Sequence, residues 1–244
     1  GSNFTGSMIL GHQTTGTLSS AEYNTAVGIN ALDAITQGDK NTAVGYNALS
    51  TNTSGYYNTA TGYNALSANT SGYHNTATGY EALTANTTGL SNTAMGYRAA
   101  RSNVEGQFNT AMGYYALYEN TNGTDNIALG PYALQENTTG IRNIAIGRSA
   151  GDVINGGSYN VIIGENADPS ALNASYQIVI GSGATGQADN SVTLGNADVT
   201  GVYAAQDGQA TVYAGGLVLE GATADAYETT LGLVDPTADR TINL

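Results

Sequence analysis

The chain has 244 residues, of which 19 are acidic and six are Lys or Arg, so its net charge is −13. So few basic residues exclude a nucleic-acid interface, which needs clustered Lys and Arg. The absence of Cys excludes disulfides, thiolate metal sites and Cys nucleophiles. No apolar run reaches about 18 residues, so the sequence predicts no insertion into a membrane.

A repeat dominates the sequence. We expect residues 1–6 to be a tag scar and lead-in, because Gly1-Ser2 is typical of a cloning remnant. The phrase NTAVGYNAL at 41–49 then returns as NTATGYNAL at 58–66 and as NTATGYEAL at 75–83. The repeat fills residues 7–200, with copies that start at 7, 24, 41, 58, 75, 92, 109, 126, 143, 160, 177 and 191. All spacings are 17 residues except the last, which is 14.

The period of the repeat determines the predicted fold. Seventeen residues are too few for a pair of helices, and the glycine at the fifth position of every copy disfavours a helix. Two short strands and two turns fit the length. One such coil cannot bury its own apolar side chains, but coils stacked about 4.8 Å apart bury them against each other. We therefore predict an all-β chain whose 17-residue coils form a parallel β-solenoid.

We number repeat positions from 1 at the Asn that begins most copies, and call the residues at one position a column. Column 2 is Thr from Thr25 to Thr110 and then Ile or Val, and column 4 holds Val, Thr, Met, Leu and Ile. Residues two apart on a strand share a face. Because both columns accept large aliphatic residues, we expect them to fill the coil interior. Column 3, which is mostly Ala, is then expected outside, and the Gly of column 5 at a corner.

The NTAxGYxAL phrase and the closing NSVTLGN at 190–196 resemble the head repeats of YadA-like trimeric adhesins, and of the phage tail fibres that reuse this module. The resemblance implies a left-handed parallel β-roll in which three chains assemble as an elongated homotrimer. Head repeats of that family are commonly nearer 14 residues, so the longer period here implies a longer outer loop. Residues 201–244 break the period and resemble a β-rich stalk segment of phage fibres.

The resemblance also implies a function. The chain would be a structural and adhesive segment of a phage tail fibre or a surface adhesin, on the virion or at the cell surface. Its partners would be further copies of itself and a host or cell-surface receptor, with glycans among the candidates. We expect no enzyme activity and no cofactor.

Two groups of aromatic residues supply the candidate surfaces. Column 6 predicts a ladder of stacked rings, which we interpret as structural, at Tyr46, Tyr63, Tyr80, Tyr97 and Tyr114. Positions 16 and 17 lie in a turn that we expect to be exposed. Its aromatic residues are the candidate receptor contacts, Tyr56, Tyr57, Tyr73 and Phe108.

Other residues with reactive side chains are sparse. His12 and His74 lie about four coils apart, so we expect neither a catalytic nor a metal-binding role for them. The acidic residues could supply oxygen ligands for Ca²⁺, but they lack the spacing of a calcium-binding loop. The acids considered are Asp152, Asp168, Asp189, Asp198, Asp207, Asp235 and Asp239.

Two other functions are compatible with the repeat. The six Thr of column 2 would suit an ice- or surface-binding array, although their replacement by Ile and Val from residue 127 onward is what an interior column would show. A glycan depolymerase would need paired carboxylates. The acids of the repeat instead fall at different positions, at Glu81, Glu105, Glu119 and Glu136.

Overall fold

The computed structural model describes residues 7–10 and 20–199, and these form a parallel β-solenoid, which confirms the predicted all-β fold. Each coil contributes one three-residue strand, and the strands pair in chain order into a single sheet. The strands are β1 (Met8–Leu10), β2 (Thr25–Val27), β3 (Thr42–Val44), β4 (Thr59–Thr61), β5 (Thr76–Thr78), β6 (Thr93–Met95), β7 (Thr110–Met112), β8 (Ile127–Leu129), β9 (Ile144–Ile146), β10 (Val161–Ile163), β11 (Ile178–Ile180) and β12 (Val192–Leu194). The expected lead-in at 1–6 and stalk segment at 201–244 lie outside the described residues.

Neighbouring strands pair with equal repeat positions side by side. Thr59 lies opposite Thr76 and Ala60 opposite Ala77, and the same register holds along the sheet. The expected second strand of each coil is replaced by turns in the described residues. Those turns still bond along the stack, as when the Leu49 amide donates to the Ala65 carbonyl at 3.0 Å. One 17-residue repeat therefore corresponds to one complete coil, and residues 17 apart in the sequence are neighbours in the stack.

The side-chain orientation that we inferred for columns 2, 3 and 4 is wrong. Column 3 lies inside the coil, where Ala43 and Ala60 are fully buried, and columns 2 and 4 face outward. In column 4, Val44 is 38% exposed and Met95 41% exposed. The alternation of the strand was predicted correctly, but the narrow coil has room only for alanine opposite the buried Leu49 of column 9. The larger aliphatic residues consequently stand on the outer face.

Compensating changes in side-chain volume support this orientation. Column 9 holds a buried leucine in most coils, while column 3 holds alanine. Where column 9 becomes Gly151, column 3 of the next coil becomes Ile162, which is fully buried. A methyl group added to Gly151 would approach the Ile162 side chain to 3.6 Å. At this place the larger Ile162 therefore occupies volume that a column 9 leucine fills in other coils.

Two ladders of buried asparagine run through the stack. In column 1, the Asn41 side chain donates to the Gly55 carbonyl at 2.8 Å, and its oxygen accepts from the Asn58 amide at 3.0 Å. In column 12, Asn69 donates to the Asn52 side-chain oxygen at 2.8 Å. The second ladder has six members between Ile35 and Ile154, namely Asn52, Asn69, Asn86, Asn103, Asn120 and Asn137.

Both ladders meet at the glycine of column 15. The Gly55 carbonyl accepts hydrogen bonds from Asn41 at 2.8 Å and from Asn52 at 2.9 Å, which ties the end of the coil to its beginning. A side chain at Gly55 would collide with the Asn52 side-chain oxygen and with the Gly72 carbonyl of the next coil. Glycine is required here by close packing between coils rather than by an unusual φ.

The corners of the coil use left-handed backbone at residues other than glycine. In one coil Asn47, Leu49 and Tyr57 have φ angles of 52°, 51° and 55°. This conformation costs about 1–2 kcal/mol per residue in an isolated chain. It is stabilised here because the amides of Asn47 and Tyr57 donate to carbonyls of the preceding coil, each at 3.0 Å. The corners therefore depend on stacking, and no coil is expected to hold its shape alone.

The column 12 ladder predicts a position-dependent effect of one substitution. Asn86→Ile removes hydrogen bonds to both neighbouring asparagines. Asn137→Ile removes only one such bond, because column 12 of the next coil is Ile154 and the Asn137 side-chain oxygen already lacks a partner. Asn86→Ile should lower the free energy of unfolding by about 1–3 kcal/mol more than Asn137→Ile. Urea unfolding monitored by circular dichroism measures the difference, and equal losses would contradict the ladder.

Candidate functional site

The outer face of the sheet carries side chains that the packing of the coil does not use. Columns 2 and 4 place two side chains of every strand on this face, in register from β1 to β12. From β2 to β7 column 2 is threonine. From β8 onward both columns are aliphatic, and Ile146, Ile180 and Leu194 are 39%, 39% and 49% exposed. We call columns 2 and 4 the strand face.

The tyrosines of column 6 form a continuous stack beside the strand face. Successive ring centroids lie between 5.0 and 5.2 Å apart, close to the spacing of the strands, and the rings are nearly parallel. Each ring covers the faces of its neighbours and leaves its edge and hydroxyl group exposed. The ladder, as expected from the sequence, consists of Tyr46, Tyr63, Tyr80, Tyr97 and Tyr114.

The four candidate receptor contacts lie at the turn of positions 16 and 17. Three of them are close to one another, and Phe108 stands apart. Tyr56 stacks on Tyr73 at 4.8 Å, and Tyr57 lies between His74, at 5.0 Å, and the Lys40 ammonium group. Lys40 also donates a hydrogen bond of 2.8 Å to the Tyr57 hydroxyl.

Phe108 stands three coils beyond Tyr57 in the same column and is 54% exposed. It makes no ring contact with the other described residues. We call positions 16 and 17 the turn rim.

A third group of residues, in columns 7 and 10, was not predicted from the sequence. The Glu81 carboxylate accepts hydrogen bonds from Arg98 at 2.8 Å and from Arg101 at 3.0 Å. Arg98 also donates to the Tyr115 hydroxyl at 2.8 Å. Tyr115 contacts Tyr118, with ring centroids 4.7 Å apart. The available signal was a local departure from the repeat, because these columns hold Asn and Ser in earlier coils.

Glu81 is the least exposed of the charged groups in this network. Its side chain is 12% exposed, against 27% for Arg98 and 38% for Arg101. Burial alone would raise the pKa of Glu81, but the hydrogen bonds from Arg101 and Arg98 outweigh it and leave the pKa below its ordinary value. Glu81 is therefore an ionised anchor for two guanidinium groups and is unsuited to act as a general acid.

The acidic residues considered for Ca²⁺ do not assemble into a site within the part of the chain that the structure describes. No three His, Asp or Glu residues there are close enough to share a metal ion. Asp168 is half-buried, and one of its carboxylate oxygens has no hydrogen-bond partner. His12, Asp207, Asp235 and Asp239 lie outside the described residues.

Comparisons with known proteins give no relative from which a function could be transferred. Neither the protein-family models, nor the curated proteins, nor the solved structures contain a match to this chain. Among the residues that the structure describes, no helix has the length and apolar character needed to cross a bilayer. The candidate functional surfaces are the strand face, the turn rim and the arginine and tyrosine residues of columns 7 and 10.

Asp168 predicts a pH dependence of stability. Burial, followed by repulsion from Asp152, raises the pKa of Asp168 to about 6 against an opposing hydrogen bond from the Val153 backbone. Because the folded state binds this proton more tightly than the unfolded chain, the stabilisation is complete below about pH 4 and is lost as the pH rises through about 6. The free energy of unfolding should therefore be about 1–2 kcal/mol higher below about pH 4 than above about pH 6 because of this group, and Asp168→Asn should remove that difference.

Urea unfolding at about pH 4 and about pH 7 measures this difference between the protein and its Asp168→Asn variant. Asp152→Asn is the matched variant, since it removes the second cause of the shift and leaves burial in place. It should abolish only part of the difference. An unchanged pH dependence in Asp168→Asn would show that the Asp168 carboxyl is not the titrating group.

Proposed function

We propose that the chain is a structural and adhesive segment of a homotrimeric fibre, either a phage tail fibre or a surface adhesin, as in the YadA-like proteins that its repeat resembles. The observation that carries the proposal is the strand face. A β-sheet whose inner face packs the coil and whose outer face is also apolar is typical of a sheet covered on both sides. The cover proposed here is the same face of two further copies, around a common axis.

The apolar part of the strand face is long and continuous. Ten aliphatic side chains occupy two adjacent columns over five coils, at Ile127, Leu129, Ile144, Ile146, Val161, Ile163, Ile178, Ile180, Val192 and Leu194. Soluble monomers rarely expose contiguous apolar surface of this kind, and such patches usually mark protein interfaces. Because every coil presents the same columns, a second copy can meet them in register over the whole stack.

The turn rim supplies the receptor-binding surface in this proposal. It follows the buried Asn and Gly of positions 12 and 15, and in the single chain Tyr56, Tyr57 and Phe108 are exposed while Tyr73 is partly buried. Three copies around one axis would display three identical rims, so weak contacts at each rim would add through avidity. A stiff fibre on a virion or outside a cell fits this role and requires neither a catalytic residue nor a cofactor.

The proposal predicts the mass of the protein in solution. Light scattering should give about three times the chain mass of 24.8 kDa at micromolar concentration. Ile146→Asp places a carboxylate in the aliphatic part of the strand face and should reduce the mass to that of one chain. Thr139→Asp, at an exposed turn position, is the control and should leave the mass unchanged. A monomeric wild-type protein would refute the trimer.

The outward position of column 2 also supports the ice- or surface-binding alternative. The change from Thr to Ile and Val had suggested an interior column, which would exclude ice binding. The structure places column 2 on the outer face, so that objection is removed. Six threonines, from Thr25 to Thr110, stand in register on the strand face. If this array binds ice, the protein should show thermal hysteresis that Thr76→Lys reduces. A trimeric mass without hysteresis favours the fibre.

A further inference from the structure

Six residues in columns 7 and 10 form a compact cluster that interrupts the repeat. We call it the arginine–tyrosine cluster, and it consists of Glu81, Arg98, Arg101, Tyr115, Tyr118 and Tyr132. Its members span four successive coils and touch one another through hydrogen bonds and ring contacts.

The fold does not require these side chains. Column 7 holds Asn47 and Asn64 in earlier coils, and column 10 holds Ser50 and Ser67. Those coils have the same strand, the same buried alanines and the same asparagine ladders as the coils of the cluster. Columns that build the fold, such as 1, 5 and 8, stay nearly constant through the cluster. The change of residue type in columns 7 and 10 therefore needs an explanation other than folding.

The charges of the cluster favour a negatively charged ligand. Two guanidinium groups share the single carboxylate of Glu81, which leaves one positive charge in a chain whose net charge is −13. Hydrogen bonds occupy two of the five N–H donors of Arg98 and one of those of Arg101. Because Arg98 and Arg101 are partly exposed, the remaining donors can reach carboxylate or hydroxyl oxygens of a ligand.

The tyrosines place apolar faces and hydroxyl groups beside those donors. Tyr115 lies at the centre, 4.7 Å from Tyr118 and 6.0 Å from Tyr132 between ring centroids. The Arg101 guanidinium lies over the Tyr118 ring at 5.9 Å. A sugar ring has C–H groups on its faces and hydroxyl groups at its rim, so aromatic rings next to guanidinium groups match both kinds of surface.

The position of the cluster keeps it apart from the proposed trimer contact. Columns 7 and 10 follow the corner glycine of column 5, which has a φ of 138° at Gly96, and the left-handed residue Arg98 turns the chain again. The cluster therefore lies around the corner from columns 2 and 4. Copies that associate through the strand face leave it on the flank of each coil.

We propose that the arginine–tyrosine cluster binds an acidic glycan, a saccharide whose sugars carry carboxylate groups. Arg101, with the donors of Arg98 that Glu81 and Tyr115 leave free, binds the sugar carboxylate, and Tyr115, Tyr118 and Tyr132 contact the sugar rings. Glu81 holds Arg98 and Arg101 in place as a positioning residue. The inference rests on the proposed adhesive function and assigns to the receptor a chemical class and a site distinct from the turn rim.

The repeat supplies the variants for the test. The cluster variant, Arg101→Ser, Tyr115→Asn, Tyr118→Ser and Tyr132→Asn, copies the residues of earlier coils at the same positions. The rim variant, Tyr56→Thr and Tyr73→Thr, copies Thr124 at position 16 and is the matched control. Calorimetric titration uses oligogalacturonate as the acidic probe and maltooligosaccharide of equal length as the neutral probe. Light scattering and circular dichroism verify the fold of each variant.

We expect the cluster variant to weaken oligogalacturonate binding about tenfold or more, and the rim variant to leave it within about twofold. Added salt should weaken binding by the wild-type protein. If the cluster variant does not fold, the single variant Arg101→Gln is tested in its place, and it should also weaken oligogalacturonate binding.

Three results would overturn the inference. The cluster variant could bind oligogalacturonate as tightly as the wild-type protein does, or the wild-type protein could bind the neutral probe as tightly as the acidic one. The third result is no binding of oligogalacturonate by the wild-type protein. None of them bears on the trimeric mass, which tests the fibre separately.

Discussion

The carbonyl oxygen of the column 15 glycine is the atom on which each coil depends. In the six coils whose column 12 is asparagine, it accepts one hydrogen bond from the column 1 asparagine at the start of the coil and another from the column 12 asparagine just before it. These amides are buried, so an unmade bond would leave a desolvated polar group at a cost of about 1–3 kcal/mol. Because the same asparagine side chains also bond to the neighbouring coils, the hydrogen bonds that close a coil and those that join it to its neighbours form together.

Outside the coil, the strand face and the glycine corners set what the surface can do. Beside the buried leucines of column 9, the interior is narrow enough that alanine fills column 8 and, in most coils, column 3, so the large aliphatic residues of columns 2 and 4 stand outside. A chain with this arrangement places its most apolar continuous surface where another molecule can cover it. The columns that neither close the coil nor form the strand face, among them 7, 10, 16 and 17, are the ones free to carry recognition.

The sequence allowed the period and the stacked coils to be anticipated, because both depend on residue types that recur at fixed positions. It did not allow the two faces of the strand to be told apart. Alternation places Thr59 and Thr61 on one face and Ala60 on the other, but the interior is identified by its size, which depends on Leu66 from a different part of the coil. We took the larger residues for the core, as in an ordinary sheet.

The aromatic candidates show a similar limit. Equal spacing in the sequence predicted the stack from Tyr46 to Tyr114, because residues 17 apart become neighbours. The contact of Arg101 with Glu81 joins residues 20 apart and different columns, so no periodicity shows it. The left-handed conformation of Leu49 and Tyr57 was equally invisible, since their side chains give no local reason for it and the hydrogen bonds that hold it come from other coils.

The uniform central ladder has a consequence for how such a protein varies in length. Between Ile35 and Ile154 the six asparagine-bearing coils make nearly the same contacts above and below. Recombination between two of these copies would add or remove whole coils without leaving an unmatched hydrogen bond in the ladder. The reach of the molecule can therefore change in steps of one coil, about 4.8 Å. Its terminal coils, which differ in sequence, would be inherited intact.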